Sequence, residues 1–275
     1  MRRFINNLIP VSIFSVFLLL SCSPKNIRPT DVSLNGVLWM QHAAEYKGMT
    51  YQAYNTAAEM LNISLADSNW TAALGQRENF RSLPPAIILD IDETILDNTP
   101  YESELIRTGT SYNRESWDRW CMEARAEAIP GAAEFCNLAN EKGVRVFYVT
   151  NRRDHLKEVT RENLQRAGFP LDENIETIFT RSEESNKESR RMQIARDYRI
   201  LLLIGDNAGD FASDFTGGST NNRADFANRY RSYFGTKWIV MPNPVYGDWE
   251  GALFDYNYKL GQEDILEKKY QQLKK

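Results

Sequence analysis

Histidine is nearly missing: 275 residues contain two, His42 and His155, and neither lies in an Arg-His-Gly context. A mechanism centred on that motif is therefore excluded, and His155, in "NRRDH", reads as a first-turn helix residue. No Gly-x-Ser-x-Gly and no P-loop occurs, which removes the strained serine nucleophile and the phosphate-cradling glycine loop. Basic residues are not in excess. The net charge is -4, so a groove tracking the phosphate backbone of a nucleic-acid polymer is not expected. Cysteine is limited to Cys22, Cys121 and Cys136. The single Cys-x5-Arg, from Cys22 to Arg28, falls in a polar tether and reads as accidental. No internal repeat is present. What remains is 42% hydrophobic and 12% aromatic, enough for one large globular domain and too apolar for general disorder.

The first segment, "MRRFINNLIPVSIFSVFLLLSCS", has Arg2 and Arg3, an apolar run and a small residue before Cys22. That is the layout of a secretory signal. Leu19-Leu20-Ser21-Cys22 resembles the bacterial lipobox, which implies a signal peptide over 1–21 and a lipid on Cys22. A short transmembrane anchor is the alternative, but the run falls short of the ~20 residues a spanning helix needs. Residues 22–33, polar with two prolines, read as a tether. Export places Cys121 and Cys136 in an oxidising compartment. A disulfide between them and two buried thiols both stay open, the unpaired state being favoured.

Beyond the tether, Tyr54, Ala57, Ala58, Leu61 and Leu65 share one helix face. Pro84-Pro85 ends that region and launches an apolar strand running to Asp90. The stretch from Thr99 to Gly131 reads as helical and aromatic, breaking at Pro130-Gly131. A repeating order follows: helix about 131–142, strand "VRVFYVTNR", helix about 153–167, strand "TIFT", helix about 187–198, strands "ILLLIGD" and "WIVMPNP". "TGGSTNNR" reads as a loop and "EDILEKKYQQLKK" as a solvated helix. Apolar strands alternating with helices predict an α/β fold with a parallel sheet covered on both faces.

In such sheets ligands bind at the carboxyl ends of the strands. Those ends carry Asp90 and Asp92, then Thr150-Asn151-Arg152, then Asp206, Asn207 and Asp210, with Lys187 opening a helix after "SEESN". Each has an ordinary reading alone: Asp90 as a helix cap, Thr150 as a turn residue, Lys187 as a solvated first-turn side chain. Together they are a different matter. Crowded carboxylates at the end of an apolar strand repel and lose solvation, so a cation must compensate. Oxygen-only ligands point to Mg²⁺. Asp90 then suits nucleophilic attack on phosphorus, and Asp92 suits acid/base work with a pKa raised by an apolar wall and neighbouring carboxylates. Thr150 and Lys187 suit the phosphoryl oxygens.

"DIDET", "VTNR", "SNKESRR" and "GDNAGDF" together resemble, in order and spacing, the four motifs of haloacid dehalogenase superfamily phosphatases. More narrowly the chain resembles class C bacterial acid phosphatases of the lipoprotein e type, the "DDDD" phosphohydrolases. The resemblance takes in "LWMQHAAEYKGMTYQAYN" and "MPNPVYGDWE" near the two ends. It implies a Rossmann-like core at about 84–100 and 131–247 within a domain over 34–275. The rest, about 34–83 and 101–130, would form a small helical cap. It further implies Asp90 as nucleophile and Mg²⁺ ligand, Asp92 as acid/base ligating through its backbone carbonyl, Asp206 as a metal ligand and Asp210 orienting the metal shell. Thr150 and Lys187 would bind the phosphoryl group. Trp117 and Tyr246 would sandwich a substrate ring, with Asn151 beside the substrate. Trp117 has a purely structural reading too, as core of the cap.

The implied activity is hydrolysis of phosphomonoesters: nucleoside 5'-monophosphates, nicotinamide mononucleotide and aryl phosphates. The implied setting is a lipid-anchored enzyme of the cell envelope, at the outer membrane. A homodimer is compatible with all of this. The rival readings are a non-catalytic surface lipoprotein holding a ligand such as haem, and a phosphotransferase to alcohols. A dehalogenase has no use for an acid at Asp92.

Overall fold

The computed structural model describes residues 32–274, so the signal segment over 1–21, Cys22 and nearly all of the tether lie outside it. Five parallel strands make the central sheet: β1 (Pro85–Leu89), β4 (Arg145–Arg153), β5 (Ile178–Arg181), β6 (Arg199–Gly205) and β7 (Trp238–Val240). Their order is β5-β4-β1-β6-β7. The chain therefore builds outward from β1 on one side, returns, and builds outward on the other. That reversal puts the topological switch point at the carboxyl end of β1. β1 begins on Pro85, whose missing N–H costs nothing at a first strand residue.

Strand residues alternate between two cores. Ile87, Leu89, Val146, Tyr148, Leu202 and Ile204 face a cluster containing Phe135, Cys136 and Leu164. Ala86, Ile88, Phe147, Val149, Ile200 and Leu203 face a second one containing Ile194, Phe211, Phe215 and Trp238. Both faces are covered, and the strands are apolar throughout for that reason. In the β1–β6 register Ala86 pairs with Ile200 and Ile87 with Leu202. Leu201 is the extra residue, so Leu201 and Leu202 both enter the first core.

The crossover helices are α5 (Ala132–Glu141), α6 (Lys157–Arg166), α7 (Glu188–Asp197) and α8 (Thr220–Arg229). The loop expected over "TGGSTNNR" ends at Ser219, whose hydroxyl accepts from Asn222 N at 3.2 Å and starts α8. The helix expected from about 153 starts later, because β4 runs to Arg153 and a single tight turn, 154–156, precedes α6.

Between β1 and α5 the long aromatic stretch divides. A two-residue strand β2 (Leu96–Asp97) pairs antiparallel with β3 (Glu127–Ala128) around helices α3 (Thr99–Thr108) and α4 (Arg114–Met122). Gly109, at φ 67°, ends α3 in the left-handed conformation that glycine adopts freely. The N-terminal helices α1 (Leu34–His42) and α2 (Ala44–Ala66) meet where Trp39 packs edge-on against Tyr46, but they bury most of their apolar residues in different places. α2 buries Tyr54, Ala57 and Leu61 in the first core and covers the sheet, whereas Val37 and Met40 of α1 pack with Ile106 of α3 and with Val245. The short helix α9 (Asp248–Gly251) and the solvated α10 (Gln262–Gln271) close the chain. Cys121 and Cys136 are buried and unpaired. Among the described residues no helix is long and apolar enough to cross a membrane.

Candidate active site

The strand ends converge as the apolar runs require. Asp90 leaves β1 with its N–H donating to Ile204 O at 2.9 Å, which seats it against β6. Its side chain is 10% exposed and meets Lys187 Nζ at 2.5 Å. The same ammonium lies 2.7 Å from Asp210 Oδ1. Lys187 caps the start of α7, so a helix places one buried cation between two carboxylates from β1 and β6. Asp210 closes a tight turn in which Asn207 N donates to its Oδ2 at 3.0 Å. Gly205 is needed for this: a Cβ there would stand 2.2 Å from Asp210 Oδ2.

Oxygens of Asp90, Asp206 and Asp210 all lie within 4.8 Å of one another. Asp206 accepts from Asn243 Nδ2 at 2.8 Å and from Thr94 Oγ1 at 3.4 Å. Burial, and then the Asp210 charge, push the Asp206 carboxyl up to about 7. Burial raises Asp90 well above the carboxylate range although Lys187 opposes it. Three crowded carboxylates with one ammonium make a site that gains by taking a cation. Their hard oxygens fit a small divalent ion. The third carboxylate of this group is Asp210, whereas the Asp92 side chain is turned elsewhere.

Asp92 does not meet the apolar wall expected of it. It is gripped by Arg152, whose Nη2 and Nε lie 2.8 and 3.0 Å from Oδ1. Asn98 Nδ2 donates to the same oxygen at 3.0 Å, while Oδ2 has only the longer Arg152 Nε and Thr150 Oγ1 contacts, 3.3 and 3.5 Å. Arg152 is fully enclosed; burial alone would lower its pKa, but Asp92 outweighs that and raises it. Thr150 and Arg152 are buried and Asn151 between them is exposed, the alternation of a strand. Asn151 Oδ1 accepts from Arg190 Nη2 at 2.8 Å, and Arg190 Nη1 donates to Thr150 O. Arg191 donates to Gly209 O and Asp210 O at 2.8 and 3.0 Å.

The two aromatic residues meet different neighbours of Asp92, Trp117 meeting Arg152 and Tyr246 meeting Glu93. Trp117 on α4 lies under Arg152, with Cζ 5.8 Å from its ring centroid, and packs edge-on against Tyr101 at 5.2 Å. The Tyr246 hydroxyl donates to Glu93 Oε2 in a close contact. Glu93, 1% exposed with φ 54°, follows Asp92 in a left-handed turn. Burial first, and then the Asp92 and Asp206 charges, raise its pKa well above the ordinary range. His155 stays apart from the cluster, half exposed with Nε2 3.0 Å from Asp118 Oδ2. Asp97 caps the start of α3, accepting from Thr99 N at 2.8 Å. Two cavities, about 630 and 440 Å³, contain no member of the cluster: one is lined by α6 and residues 169–176, the other by Gln41, α3 and Arg125.

Residues 20–249 match the family model of the HAD superfamily, subfamily IIIB (acid phosphatase). The chain belongs to this family. It is 36% identical to the class C acid phosphatase from Bacillus anthracis, with a TM-score of 0.82 over 90% of this chain and 99% of that one. It is also 29% identical over 166 residues to Acid phosphatase 1 of Solanum lycopersicum, covering 58% of this chain and 57% of that protein. The class B acid phosphatase of Morganella morganii is 24% identical over 154 residues, 53% of this chain and 64% of its own. The chain thus spans about three fifths of the curated relatives it matches. The expected HAD-like parallel sheet and the resemblance to class C acid phosphatases both hold.

Four residues of this cluster received no role from the sequence: Arg152, Glu93, Asn98 and Asn243. Arg152 was within reach, two residues from Thr150 and hence on the same strand face. The other three act through partners distant in sequence or through a tight turn, and no local pattern marks them.

Proposed function

We propose that this acid phosphatase family member is a Mg²⁺-dependent phosphomonoesterase working through an aspartyl phosphate on Asp90. The observation that carries the proposal is the Asp90–Lys187–Asp210 arrangement at the switch point, with Asp206 beside it and Asp92 held separately by Arg152. Asp90, Asp206 and Asp210 would hold the metal, with Asp92 contributing its backbone carbonyl. A bound divalent ion would neutralise the carboxylates and withdraw charge from the phosphoryl oxygens.

The chain's own residues do the remainder. An Asp90 oxygen attacks phosphorus and the ester oxygen leaves, taking a proton from Asp92. Asp92, now a carboxylate, removes a proton from water, which attacks the aspartyl phosphate and frees Asp90 and inorganic phosphate. Lys187 and Thr150 donate to the phosphoryl oxygens and strengthen as charge develops there. A similar class C acid phosphatase, that of Bacillus anthracis, is known with tungstate bound, and tungstate is an oxyanion.

Trp117 and Tyr246 would take the ring of the leaving group, Asn151 lying at the exposed rim. Nucleoside 5'-monophosphates, nicotinamide mononucleotide and aryl phosphates are the substrate class this suits. Cleavage before Cys22 and lipidation there would anchor the enzyme in the bacterial envelope, at the outer membrane. A panel of these phosphomonoesters assayed at mildly acidic pH, with Mg²⁺ and with a chelator, tests the proposal. Hydrolysis lost on chelation and in Asp90→Asn supports it. No metal-dependent hydrolysis by the wild-type protein, with Asp90→Asn behaving alike, leaves a non-catalytic ligand carrier as the better reading; an active Asp90→Asn protein overturns Asp90 as nucleophile, and product transferred to an added alcohol marks a phosphotransferase.

A further inference from the structure

Asn98 is completely enclosed and uses every hydrogen-bonding group it has. Its Nδ2 donates to Asp92 Oδ1 at 3.0 Å and to Glu93 Oε2 at 3.3 Å. Its Oδ1 accepts from Trp120 Nε1 at 2.8 Å, and its backbone N–H donates to Glu93 Oε1 at 2.9 Å. These partners fix the amide orientation, because the flipped form would set an oxygen against two carboxylates and an NH₂ against an indole N–H.

An asparagine one residue before a helix usually caps it, its oxygen accepting from the first turn. Asn98 occupies the cap position of α3 but makes no side-chain cap. Asp97 takes the Thr99 N–H instead. The structural explanation for an asparagine at this position is thus already spent on its neighbour.

The network joins both flanks of the proposed leaving-group site. Trp120 lies one helical turn from Trp117 on α4, and Glu93 carries the Tyr246 hydroxyl. Asn98 ties both to Asp92. With Arg152 it also loads three N–H donors on Asp92 Oδ1 and leaves Oδ2 as the less engaged oxygen.

We infer that Asn98 is a positioning residue: it holds Asp92 so that Oδ2 faces the leaving oxygen, in register with α4 and Tyr246. The inference rests on the acid/base reading of Asp92. Without Asn98 the Arg152 fork still pairs with Asp92 but no longer fixes its rotation. Proton delivery suffers while phosphate binding, on the Lys187 side, does not.

The test is kcat/KM for substituted phenyl phosphates of graded leaving-group pKa, which reports steps through departure of the phenol. A poor leaving group needs the proton and a nitrophenolate hardly does. Asn98→Ala is expected to steepen the dependence on leaving-group pKa toward that of Asp92→Asn, losing at least ~10-fold more rate with the poorest leaving group than with the best. Trp120→Phe, which removes the N–H held by Asn98 Oδ1 and part of the ring but leaves Asn98 in place, should steepen it less and keeps the test alive where Asn98→Ala folds poorly. A parallel loss across the series with an unchanged slope, beside a steep Asp92→Asn, overturns the role of Asn98 alone. A flat Asp92→Asn series removes the acid assignment and this inference with it.

Discussion

Lys187→Met removes the one ammonium between Asp90 and Asp210 while nearly keeping side-chain volume. The three side chains are 7, 10 and 6% exposed, and Nζ lies 2.5 and 2.7 Å from the two carboxylates. Breaking a buried ion pair by deleting one partner costs about 3–5 kcal/mol, because the surviving charge stays buried. Each 1 kcal/mol shifts Tm by roughly 2–4 °C in a protein of this size class, so a fall of roughly 6–20 °C is expected. The assay is thermal unfolding at pH 7.5 with chelator present. Asp90 already has a raised pKa and loses its counter-ion in the variant, so it takes up a proton more readily and the deficit should shrink at pH 5. Mg²⁺ should restore part of it at pH 7.5 by binding the folded carboxylates alone. A variant melting within about 2 °C of wild type in chelator would refute a buried, charged triad.

Gly205→Ala must push Asp210 from its place, since the new Cβ falls 2.5 Å from Asp210 Cβ; we expect a loss of about 1–3 kcal/mol by denaturant unfolding and a large drop in activity. Asp92→Asn should keep substrate binding, measured by competition, and lose roughly 10²–10⁴-fold in kcat. Glu102 has its pKa raised to about 7 by burial and then by Glu250. A carboxyl raised on folding favours the fold below its unfolded pKa and loses that contribution as pH climbs through the folded one. Glu102→Gln should therefore raise Tm at pH 8 by the equivalent of on the order of 1–3 kcal/mol and change little at pH 4. The same sign applies to Asp206, so the metal-free protein should lose stability between about pH 4 and 7, and the increment from added Mg²⁺ should grow over that interval.

The sheet was legible because its central strands, β1, β4 and β6, carry apolar runs buried on both faces. Helix α8 was half hidden, since none of its residues is buried. β2 and β3, two residues each, are too short to leave a pattern. The role of α2 needed tertiary contacts, for an amphipathic helix shows that it covers something without saying what. Asp90, Asp206, Asp210 and Lys187 were found because topology sends strand ends and helix starts to one mouth. Asp92 was placed correctly in the chain, but Arg152, 60 residues on, meets it where an apolar wall was expected.

The first turn of α7 holds three strand ends at once: Lys187 reaches β1 and β6, Arg190 the end of β4, and Arg191 the turn after β6. One stiff helical turn therefore acts as a keystone for the half of the site proposed to hold phosphate, and that half cannot flex piecemeal. The other half hangs from α4 and the chain around Tyr246, joined to it through a few side-chain hydrogen bonds. Under the proposed function, tolerance for leaving groups of different shape would belong to that softer half. An enzyme so divided would vary what it releases without altering where it breaks the bond.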